Sequence, residues 1–195
     1  MELISFLKEF LAAPKHVGGL APSSVRLAEM VTDAAGVSEA NVVVEFGPGT
    51  GVFTEVIARK VPEGARFIAI EIQAEFAKAV RLRCPGVEVF HDSAVNTKQY
   101  LDELGLDHCD CIISGLPFTL FEEELQDKLL GAAFDVLRPG GVFVTFAYFY
   151  SPYFTGGQRF KKKLHDRFER VEETPTLWTN FLPAFAYRAL KPAQA

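Results

Sequence analysis

A chain of 195 residues with 49% apolar and 23% charged residues is long enough to bury the core of one globular domain, which we expect to span 1–195. It contains no uninterrupted apolar run of about 18 residues, so it does not read as membrane-spanning, although a peripheral membrane contact stays open. The net charge of −5 disfavours a general nucleic-acid binder, because affinity for phosphates comes from lysine and arginine.

The first predicted element is an amphipathic helix at the N-terminus. Its apolar face gathers Leu3, Ile4, Phe6, Leu7, Phe10 and Leu11. Such a helix either closes over a pocket as a lid or lies in a bilayer interface. The segment lacks the basic start of a secretory signal, so we expect a cytoplasmic protein that can be peripheral on the inner face of the membrane. A second helix should end at Gly36, which makes 1–36 the expected lid or membrane-contact segment and 37–195 the expected catalytic core.

Apolar strand candidates then alternate with helical patterns along the chain. In order they are "NVVVEF", "VFTEVIARK", "ARFIAIE", "QAEFAKAVRLR", "VEVFHD", "CDCIIS", "FEEELQDKLLGAAFDVL" and "GVFVTFAYF". This alternation predicts a parallel sheet with helices on both faces. The stretches "RFERVEETPTLW" and "NFLPAFAYRALK" read as two late strands, antiparallel in part because their connection is short.

The three cysteines, Cys84, Cys109 and Cys111, give no sign of a metal or disulfide framework. Their number is odd, and "CDC" lacks the two-residue spacer of common zinc and redox motifs. We therefore expect buried or incidental thiols and no metal site.

The first strand runs into a glycine-rich loop, "VVVEFGPGTG", which is typical of a ligand held against bare backbone. Two phosphate-binding motifs fit badly: Val52 stands where the dinucleotide fingerprint needs its third glycine, and no lysine follows until Lys60, so the P-loop ending is missing. Glu45 would also repel a pyrophosphate. A ligand with a cationic end and no phosphate fits better, and S-adenosyl-L-methionine, with its sulfonium and α-ammonium groups, is that ligand.

Polar residues recur where each later strand should end. Glu71, Asp92 and Ser114 follow Glu45 at successive intervals of 26, 21 and 22 residues, about the length of one strand, one helix and their loops. All four should line the carboxyl edge of the sheet, where Glu71 can accept hydrogen bonds from the ribose hydroxyls and Asp92 from the adenine amino group. The residues expected to bind the cofactor are Glu45, Gly47, Pro48, Gly49, Thr50, Gly51, Glu71, Ile72, Asp92, Ser93, Ala94 and Ser114.

Four of these stretches, "VVVEFGPGTGVFT", "IAIE", "HDSA" and "LRPGG", together resemble the class I S-adenosylmethionine-dependent methyltransferases. The resemblance implies an α/β, Rossmann-like three-layer αβα sandwich. Its seven-stranded, mostly parallel sheet would have the order 3-2-1-4-5-7-6, with "NFLPAFAYRALK" as the antiparallel strand.

The segment "SGLPF", from Ser114 to Phe118, resembles the N-[LP]-P-[YF] loop of amino methyltransferases, with Ser114 in place of the usual Asn or Asp. Methyl transfer is an in-line displacement, so the enzyme mainly positions a neutral amine and excludes water. Carbonyls and hydroxyls of such a loop accept the N–H bonds of the amine. We assign Ser114, Gly115 and Tyr148 to this catalytic role.

The segments "VGGLAPSSVRLAEMV", "LRPGGVFVTFAYFYSP" and "LWTNFLPAFAYR" extend the likeness to the soluble bacterial phospholipid N-methyltransferases, over roughly Val17 to Arg188. This implies methylation of the amino head group of phosphatidylethanolamine or a related amino lipid at a membrane. Where that family reads G-D-A, this chain has "HDSA". The expected substrate-binding residues are His16, Ser23, Phe118, Tyr148, Tyr150, Trp178 and Asn180.

Aromatic faces stabilise a quaternary ammonium product, which favours a substrate-binding role for the tyrosines and Trp178. The basic run Lys161–Lys163 can attract anionic lipids. Two alternatives stay open. One is an N-methyltransferase for an RNA base or a small-molecule amine. The other is a non-enzymatic module that senses S-adenosylmethionine.

Overall fold

The computed structural model describes residues 22–180 and 182–193, of which residues 22–24 are described by their backbone alone. Seven strands form one sheet. The strands are β1 (Val42–Phe46), β2 (Arg66–Glu71), β3 (Glu88–His91), β4 (Cys109–Ser114), β5 (Leu137–Tyr148), β6 (Arg170–Glu173) and β7 (Ala184–Leu190). The helices are α1 (Pro22–Ala35), α2 (Val52–Lys60), α3 (Ala74–Arg83), α4 (Thr97–Glu103), α5 (Glu123–Val136) and α6 (Thr155–Arg167). Short 3-10 turns cover Val37–Glu39, Ala94–Asn96, Phe118–Leu120 and Ser151–Tyr153.

The strand order is β3-β2-β1-β4-β5-β7-β6, which confirms the expected topology. Strands β1 to β5 pair in parallel, and β7 lies antiparallel to both β5 and β6. Successive strands step outward from β1 to β3 and then resume at β4 on the opposite side of β1. Such a reversal leaves a crevice beyond the carboxyl ends of β1 and β4, where open α/β sheets bind their ligands.

Side chains alternate between two buried cores, one on each face of the sheet. In β1, Val44 and Phe46 point into the core covered by α4, α5 and α6, whereas Val43 points into the core covered by α1, α2 and α3. A strand with apolar neighbours on both faces reads as an unbroken apolar run, which is why "VVVEF" shows no alternation of polar and apolar residues. The three-layer αβα sandwich is thereby confirmed.

Helix α1 belongs to the core rather than to a lid. Leu27, Val31 and Ala35 are buried against the sheet together with residues of α2 and α3. The helix ends as expected at Gly36, whose φ of 68° only glycine adopts at little cost. The expected boundary at residue 36 therefore does not match the packing, and a lid or membrane-contact role within 1–36 is left to residues 1–21, which lie outside the described part of the chain.

All three cysteines are free and buried, as their spacing indicated. Burial raises the pKa of Cys111 to about 12, so this thiol stays protonated and unreactive. Among the described residues, histidines, cysteines and carboxylates form no group of three or more that could hold a metal ion. Within the same part of the chain, no helix has the length and apolar character needed to cross a bilayer.

Candidate cofactor and acceptor site

The loop between β1 and α2 depends on three glycines with positive φ. Gly47, Gly49 and Gly51 have φ of 68°, 55° and 85°, a region that other residues enter only with strain. The N–H of Gly47 donates to the carbonyl of Ile70 at 2.9 Å, which ties the start of the loop to the end of β2. The Gly51 N–H donates to the Pro48 carbonyl at 2.9 Å and closes the turn at the N-terminus of α2.

The Glu71 carboxylate lies directly against this loop at the end of β2. Its Oε2 accepts from the Gly49 N–H at 3.0 Å and its Oε1 from the Gln73 N–H at 2.9 Å, and the side chain is nearly buried. The Glu71 carbonyl accepts from the Asp92 N–H at 3.1 Å, which brings the end of β3 to the same place. Two of the expected cofactor carboxylates are therefore neighbours at the sheet edge.

Asp92 is held in place by its own chain. Its Oδ2 accepts from the Tyr100 hydroxyl at 2.7 Å and from Asn96 Nδ2 at 2.9 Å, and its Oδ1 accepts from the Ser93 N–H at 2.7 Å. The Tyr100 hydrogen bond, followed by the other two, lowers the pKa of Asp92 below its ordinary value, so the group is an ionised acceptor at neutral pH. Tyr100 is itself fixed by stacking on Phe90, with ring centroids 4.1 Å apart.

Glu45 sits deeper than the sequence indicated. Strand β1 continues through Phe46, so the Glu45 side chain is fully buried beneath α2, where the Thr54 hydroxyl donates to its Oε2 at 2.7 Å. Burial raises the pKa of Glu45 to about 8, with the neighbouring Glu71 adding to the effect and Thr54 opposing it. Its Oε1 has no hydrogen-bond partner among the described residues. Such an uncompensated buried carboxyl favours a cation nearby.

The acceptor loop that follows β4 touches the glycine loop backbone to backbone. The Gly115 N–H donates to the Phe46 carbonyl at 2.8 Å, and a Cβ at Gly115 would lie 2.7 Å from the Gly47 carbonyl oxygen. A Cβ at Gly47 would in turn meet the Leu116 side chain at 2.5 Å. The two loops that carry the expected cofactor and acceptor residues therefore meet only because both contact positions are glycine.

Ser114 is used inside the acceptor loop rather than at its surface. The residue is completely buried, its Oγ accepts from the Leu116 N–H at 3.2 Å, and its carbonyl accepts from the Thr145 hydroxyl at 3.0 Å. The serine side chain therefore shapes the loop, and the adjacent Gly115 is the part of the pair that is partly exposed.

A largely apolar pocket, open to solvent, lies beside this loop. It is lined by Leu116, Pro117, Phe118, Thr119, Leu120, Phe146, Ala147, Tyr148, Ser151 and Phe160. Two expected substrate residues, Phe118 and Tyr148, are thus brought together. Burial raises the pKa of Tyr148 to about 12, so its phenol is neutral and can both donate and accept hydrogen bonds.

Exposed aromatic side chains lie next to the pocket. Tyr150, Tyr153 and Trp178 are 49%, 73% and 63% exposed. Their neighbour Phe149 joins the end of β5 to the segment before β7, with its ring centroid 4.9 Å from that of Trp178 and 5.3 Å from that of Tyr150. We call Phe149, Tyr150, Tyr153 and Trp178 the aromatic patch.

The remaining expected residues have other placements. Asn180 donates through Nδ2 to the Leu182 carbonyl at 2.7 Å and so holds its own turn, and Ile72 projects outward with 66% of its surface exposed. Ser23 lies in the backbone of α1. His16 and the side chain of Ser23 lie outside the described residues.

The basic run on α6 is neutralised by neighbouring carboxylates. Lys161 pairs with Glu173 at 2.8 Å, Lys162 with Asp166 at 2.5 Å, and Lys163 with Asp127 at 2.5 Å and Glu123 at 3.2 Å. The run therefore offers little net positive charge to an anionic surface, which weakens the expected attraction to lipids.

The sequence analysis did not predict the side chains that hydrogen-bond to the glycine loop and to the carboxylates of the site. Arg83 of α3 pairs with Glu55 and donates to the Thr50 carbonyl at 2.8 Å. Thr54 donates to the Glu45 carboxyl, and Tyr100 donates to the Asp92 carboxylate. Thr54 carried a usable signal, because it lies on the apolar face of α2 that must point at β1. Arg83 and Tyr100 carried none, since only the packing of separate helices brings them to the loops.

The sheet order, the glycine loop and the acidic strand ends define a Rossmann-like methyltransferase fold. Among the solved structures that share this fold are N-methyltransferase NodS from Bradyrhizobium japonicum in complex with S-adenosyl-L-homocysteine, and an O-methyltransferase from Bacillus cereus in complex with the same compound. The first has a TM-score of 0.69 and 14% identity, and covers 97% of this chain and 98% of its own. The second has a TM-score of 0.68 and 18% identity, and covers 97% and 90%.

The methyltransferase domain family matches residues 43–141, about half of the chain. Ornithine lipid N-methyltransferase of Singulisphaera acidiphila is 33% identical over 185 residues, which is 93% of this chain and 92% of that protein. Ribosomal RNA small subunit methyltransferase A of Thermotoga petrophila is 33% identical over 102 residues, or 50% of this chain and 38% of that protein. The chain belongs to the class I S-adenosylmethionine-dependent methyltransferases, and S-adenosyl-L-methionine is its methyl donor.

Proposed function

We propose that this protein transfers the methyl group of S-adenosylmethionine to the amine of an amino lipid head group, either phosphatidylethanolamine or a related amino lipid. The observation that carries the proposal is the end-to-end match to a protein named ornithine lipid N-methyltransferase, which spans 93% of this chain. The match includes the segments after β5 that contribute the apolar pocket and the aromatic patch, and not only the donor-binding half that many methyltransferases share.

The placement of the glycine loop and the carboxylates supports the donor part of the proposal. In the proposal, Gly47–Gly51 contact the methionine portion, Glu71 accepts from the ribose hydroxyls and Asp92 accepts from the adenine amino group. Both carboxylates lie at the edge of the sheet, and Gly49 already contacts Glu71 at 3.0 Å. Glu45 lies behind this loop and adds negative potential when ionised, which suits a ligand with two positive groups and no phosphate.

The acceptor half suits a neutral amine. S-adenosylmethionine supplies an activated methyl carbon, so the chain must mainly orient the amine nitrogen and exclude water. In the proposal, the exposed backbone of Gly115 and the hydroxyl of Tyr148 accept the N–H bonds of the amine. Because the pKa of Tyr148 is raised to about 12, its phenol is an uncharged acceptor and not a general base at neutral pH.

A lipid acceptor is supported by the surroundings of the pocket. The lining residues are mostly apolar, and the aromatic patch exposes Tyr and Trp side chains, which are enriched where proteins meet membrane interfaces. In this proposal the protein is peripheral at the membrane. The contribution of residues 1–21, as a lid or as a membrane contact, is part of the proposal and not of the described structure.

A second candidate, methylation of an RNA base, has one observation in its favour: the 33% identity to ribosomal RNA small subunit methyltransferase A of Thermotoga petrophila. That match covers half of this chain, and the net charge of −5 opposes binding to a polyanion. The lipid acceptor therefore fits the whole chain better.

The test is methyl transfer from labelled S-adenosylmethionine with four acceptors offered separately: phosphatidylethanolamine micelles, ornithine lipid micelles, RNA and soluble amines. We expect label in a lipid fraction. Label in RNA, or in a soluble amine alone, would replace the lipid assignment with the corresponding acceptor. Binding of S-adenosylmethionine with label in no fraction would favour a non-enzymatic sensing module.

A further inference from the structure

A buried polar pair, Gln126 and Arg159, holds the turn that follows the acceptor loop. Gln126 of α5 is completely buried, and its Nε2 donates to the Phe118 carbonyl at 2.7 Å. Its Oε1 accepts from Nε of Arg159, on α6, at 3.2 Å. A buried amide is costly unless its hydrogen bonds are made, so the position of Gln126 depends on these partners.

Arg159 hydrogen-bonds to the backbone at the C-terminal end of the same turn. Its Nη2 donates to the Phe121 carbonyl at 2.9 Å, and Gln126 reaches the same carbonyl at 3.4 Å. Arg159 makes no ion pair with a carboxylate among the described residues, so its guanidinium is committed to main-chain and amide oxygens. The two side chains together fix the backbone at both ends of the turn Phe118–Leu120.

The N-terminus of α6 is pressed against both walls of the pocket. A Cβ at Gly156 would lie 2.2 Å from the Thr119 carbonyl oxygen, and a Cβ at Gly157 would lie 2.0 Å from that of Ser151. Gln126 also donates to the Gly156 carbonyl at 3.3 Å. The turn Phe118–Leu120 on one side and the turn Ser151–Tyr153 on the other therefore both contact α6, and Gln126 and Arg159 connect that helix to the first of these turns.

None of the side-chain hydrogen bonds made by this pair, within the described residues, reaches the donor half of the site. Their partners are confined to the segment 118–121, Gly156 and each other. We propose that Gln126 and Arg159 are positioning residues for the methyl acceptor: they set the wall of the acceptor pocket without acting on cofactor binding. This inference rests on the proposed function for the identity of the acceptor, and on the structure alone for the placement of the loop.

The kinetic test compares Arg159→Met with Arg167→Met, using whichever detergent-dispersed lipid, phosphatidylethanolamine or ornithine lipid, the wild type methylates. Arg167 lies on the same helix, near its other end, and makes no side-chain hydrogen bond or ion pair among the described residues. Loss of hydrogen bonds from a charged group should lower kcat/KM for the acceptor about tenfold, while the Kd for S-adenosylmethionine stays within about twofold. Arg159→Lys, which keeps the charge and one donor, should recover part of the loss, and Arg167→Met should behave as the wild type.

The second measurement is hydrogen–deuterium exchange without any acceptor, which keeps the inference testable if the lipid assignment fails. Amides of Phe118–Phe121 should exchange faster in Arg159→Met, whereas those of Gly47–Gly51 should not change. The inference is overturned if the amides of Phe118–Phe121 in Arg159→Met exchange at the wild-type rate, or if the affinity of this variant for S-adenosylmethionine falls as much as its kcat/KM for the acceptor. An unchanged kcat/KM in Arg159→Met, despite faster exchange of Phe118–Phe121, would also overturn the positioning role. A wild type that methylates no amino lipid would refute only the proposed substrate.

Discussion

The carboxylate of Glu71 is the residue on which cofactor binding should depend most. The variant Glu71→Gln keeps the size of the side chain but loses the charge and one acceptor, so the affinity for S-adenosylmethionine should fall about 10- to 100-fold, the effect of a charged hydrogen-bonding group. Isothermal titration calorimetry measures it. Glu88→Gln, at the opposite end of the neighbouring strand β3, is the matched control. Retained affinity in Glu71→Gln would show that the ribose assignment is wrong.

The buried carboxyl of Glu45 should make folding stability depend on pH. Its pKa is about 8 in the folded protein against an ordinary 4.5, so between these values the folded state binds a proton that the unfolded state has released. The contribution of Glu45 to stability is therefore lost progressively as pH rises through this window. Glu45→Gln removes the titration.

We expect the stability of the wild type relative to Glu45→Gln to decline from about pH 5 to about pH 8, as measured by urea midpoints at several pH values. Glu88→Gln again serves as the control, because Glu88 is partly exposed and paired with Arg66 on the surface. Parallel pH profiles for the wild type and Glu45→Gln would mean that Glu45 is ionised in the folded state.

For single residues, the sequence predicts the positions of the site carboxylates better than their hydrogen-bond partners. Glu71 and Asp92 stand at the expected sheet edge, because the carboxyl ends of parallel strands must share an edge. Glu45 differs from the expectation, because it lies one residue before the end of β1 and its side chain is buried beneath α2 against Thr54. The partners of these carboxylates, Thr54 and Tyr100, depend on how helices pack across the sheet, which local pattern does not encode.

Among the elements, the contact between the glycine loop and the acceptor loop should be intolerant of any side chain. The variant Gly115→Ala would place a methyl group 2.7 Å from the Gly47 carbonyl oxygen, and backbone on both sides leaves little room to adjust. We expect a loss of stability of about 1–3 kcal/mol, the usual cost of overpacking. Chemical denaturation of Gly86→Ala provides the comparison, because nothing lies within 4 Å of a Cβ at that glycine. Equal midpoints for the two variants would contradict the close approach.

The elements themselves were largely predictable. Helix α2 begins and ends where "VFTEVIARK" does, and the two late strands pair antiparallel as their short connection indicated. The order of the strands was not available from periodicity, which says only that strands and helices alternate, and it came from the resemblance of four motifs to a family. The packing of α1 against the sheet is not predictable from "PSSVRLAEMVTDAAG", because that stretch indicates a helix and its end but not the surface that the helix covers.

For the whole molecule, the proposed membrane contact can be followed through one natural probe. Trp178 is the only tryptophan in the sequence and is 63% exposed in the aromatic patch. Its fluorescence should shift to the blue when vesicles containing phosphatidylethanolamine are added, and brominated lipids should quench it, because the indole leaves water for the bilayer interface.

Tyr153→Ser should weaken vesicle binding about tenfold, the effect of removing one large apolar contact. Leu82→Ser is the matched control, since Leu82 is 77% exposed on α3 and lies outside the aromatic patch. An emission maximum that stays constant at saturating lipid would exclude the aromatic patch from the membrane. Emission that is already blue-shifted in the free protein, and moves to the red when residues 1–13 are deleted, would assign the same patch to the protein's own N-terminal segment.

The order of the strands reverses between β1 and β4, and this division separates two chemical tasks along the chain. Gly47–Gly51, Glu71 and Asp92, which are proposed to hold the donor, come before residue 95, whereas Gly115, Tyr148 and the residues that line the apolar pocket come after residue 113. Substitutions in the later portion can therefore alter substrate choice while the earlier portion keeps its ligand. Relatives named for a lipid and for ribosomal RNA are what such a modular scaffold produces as it diversifies.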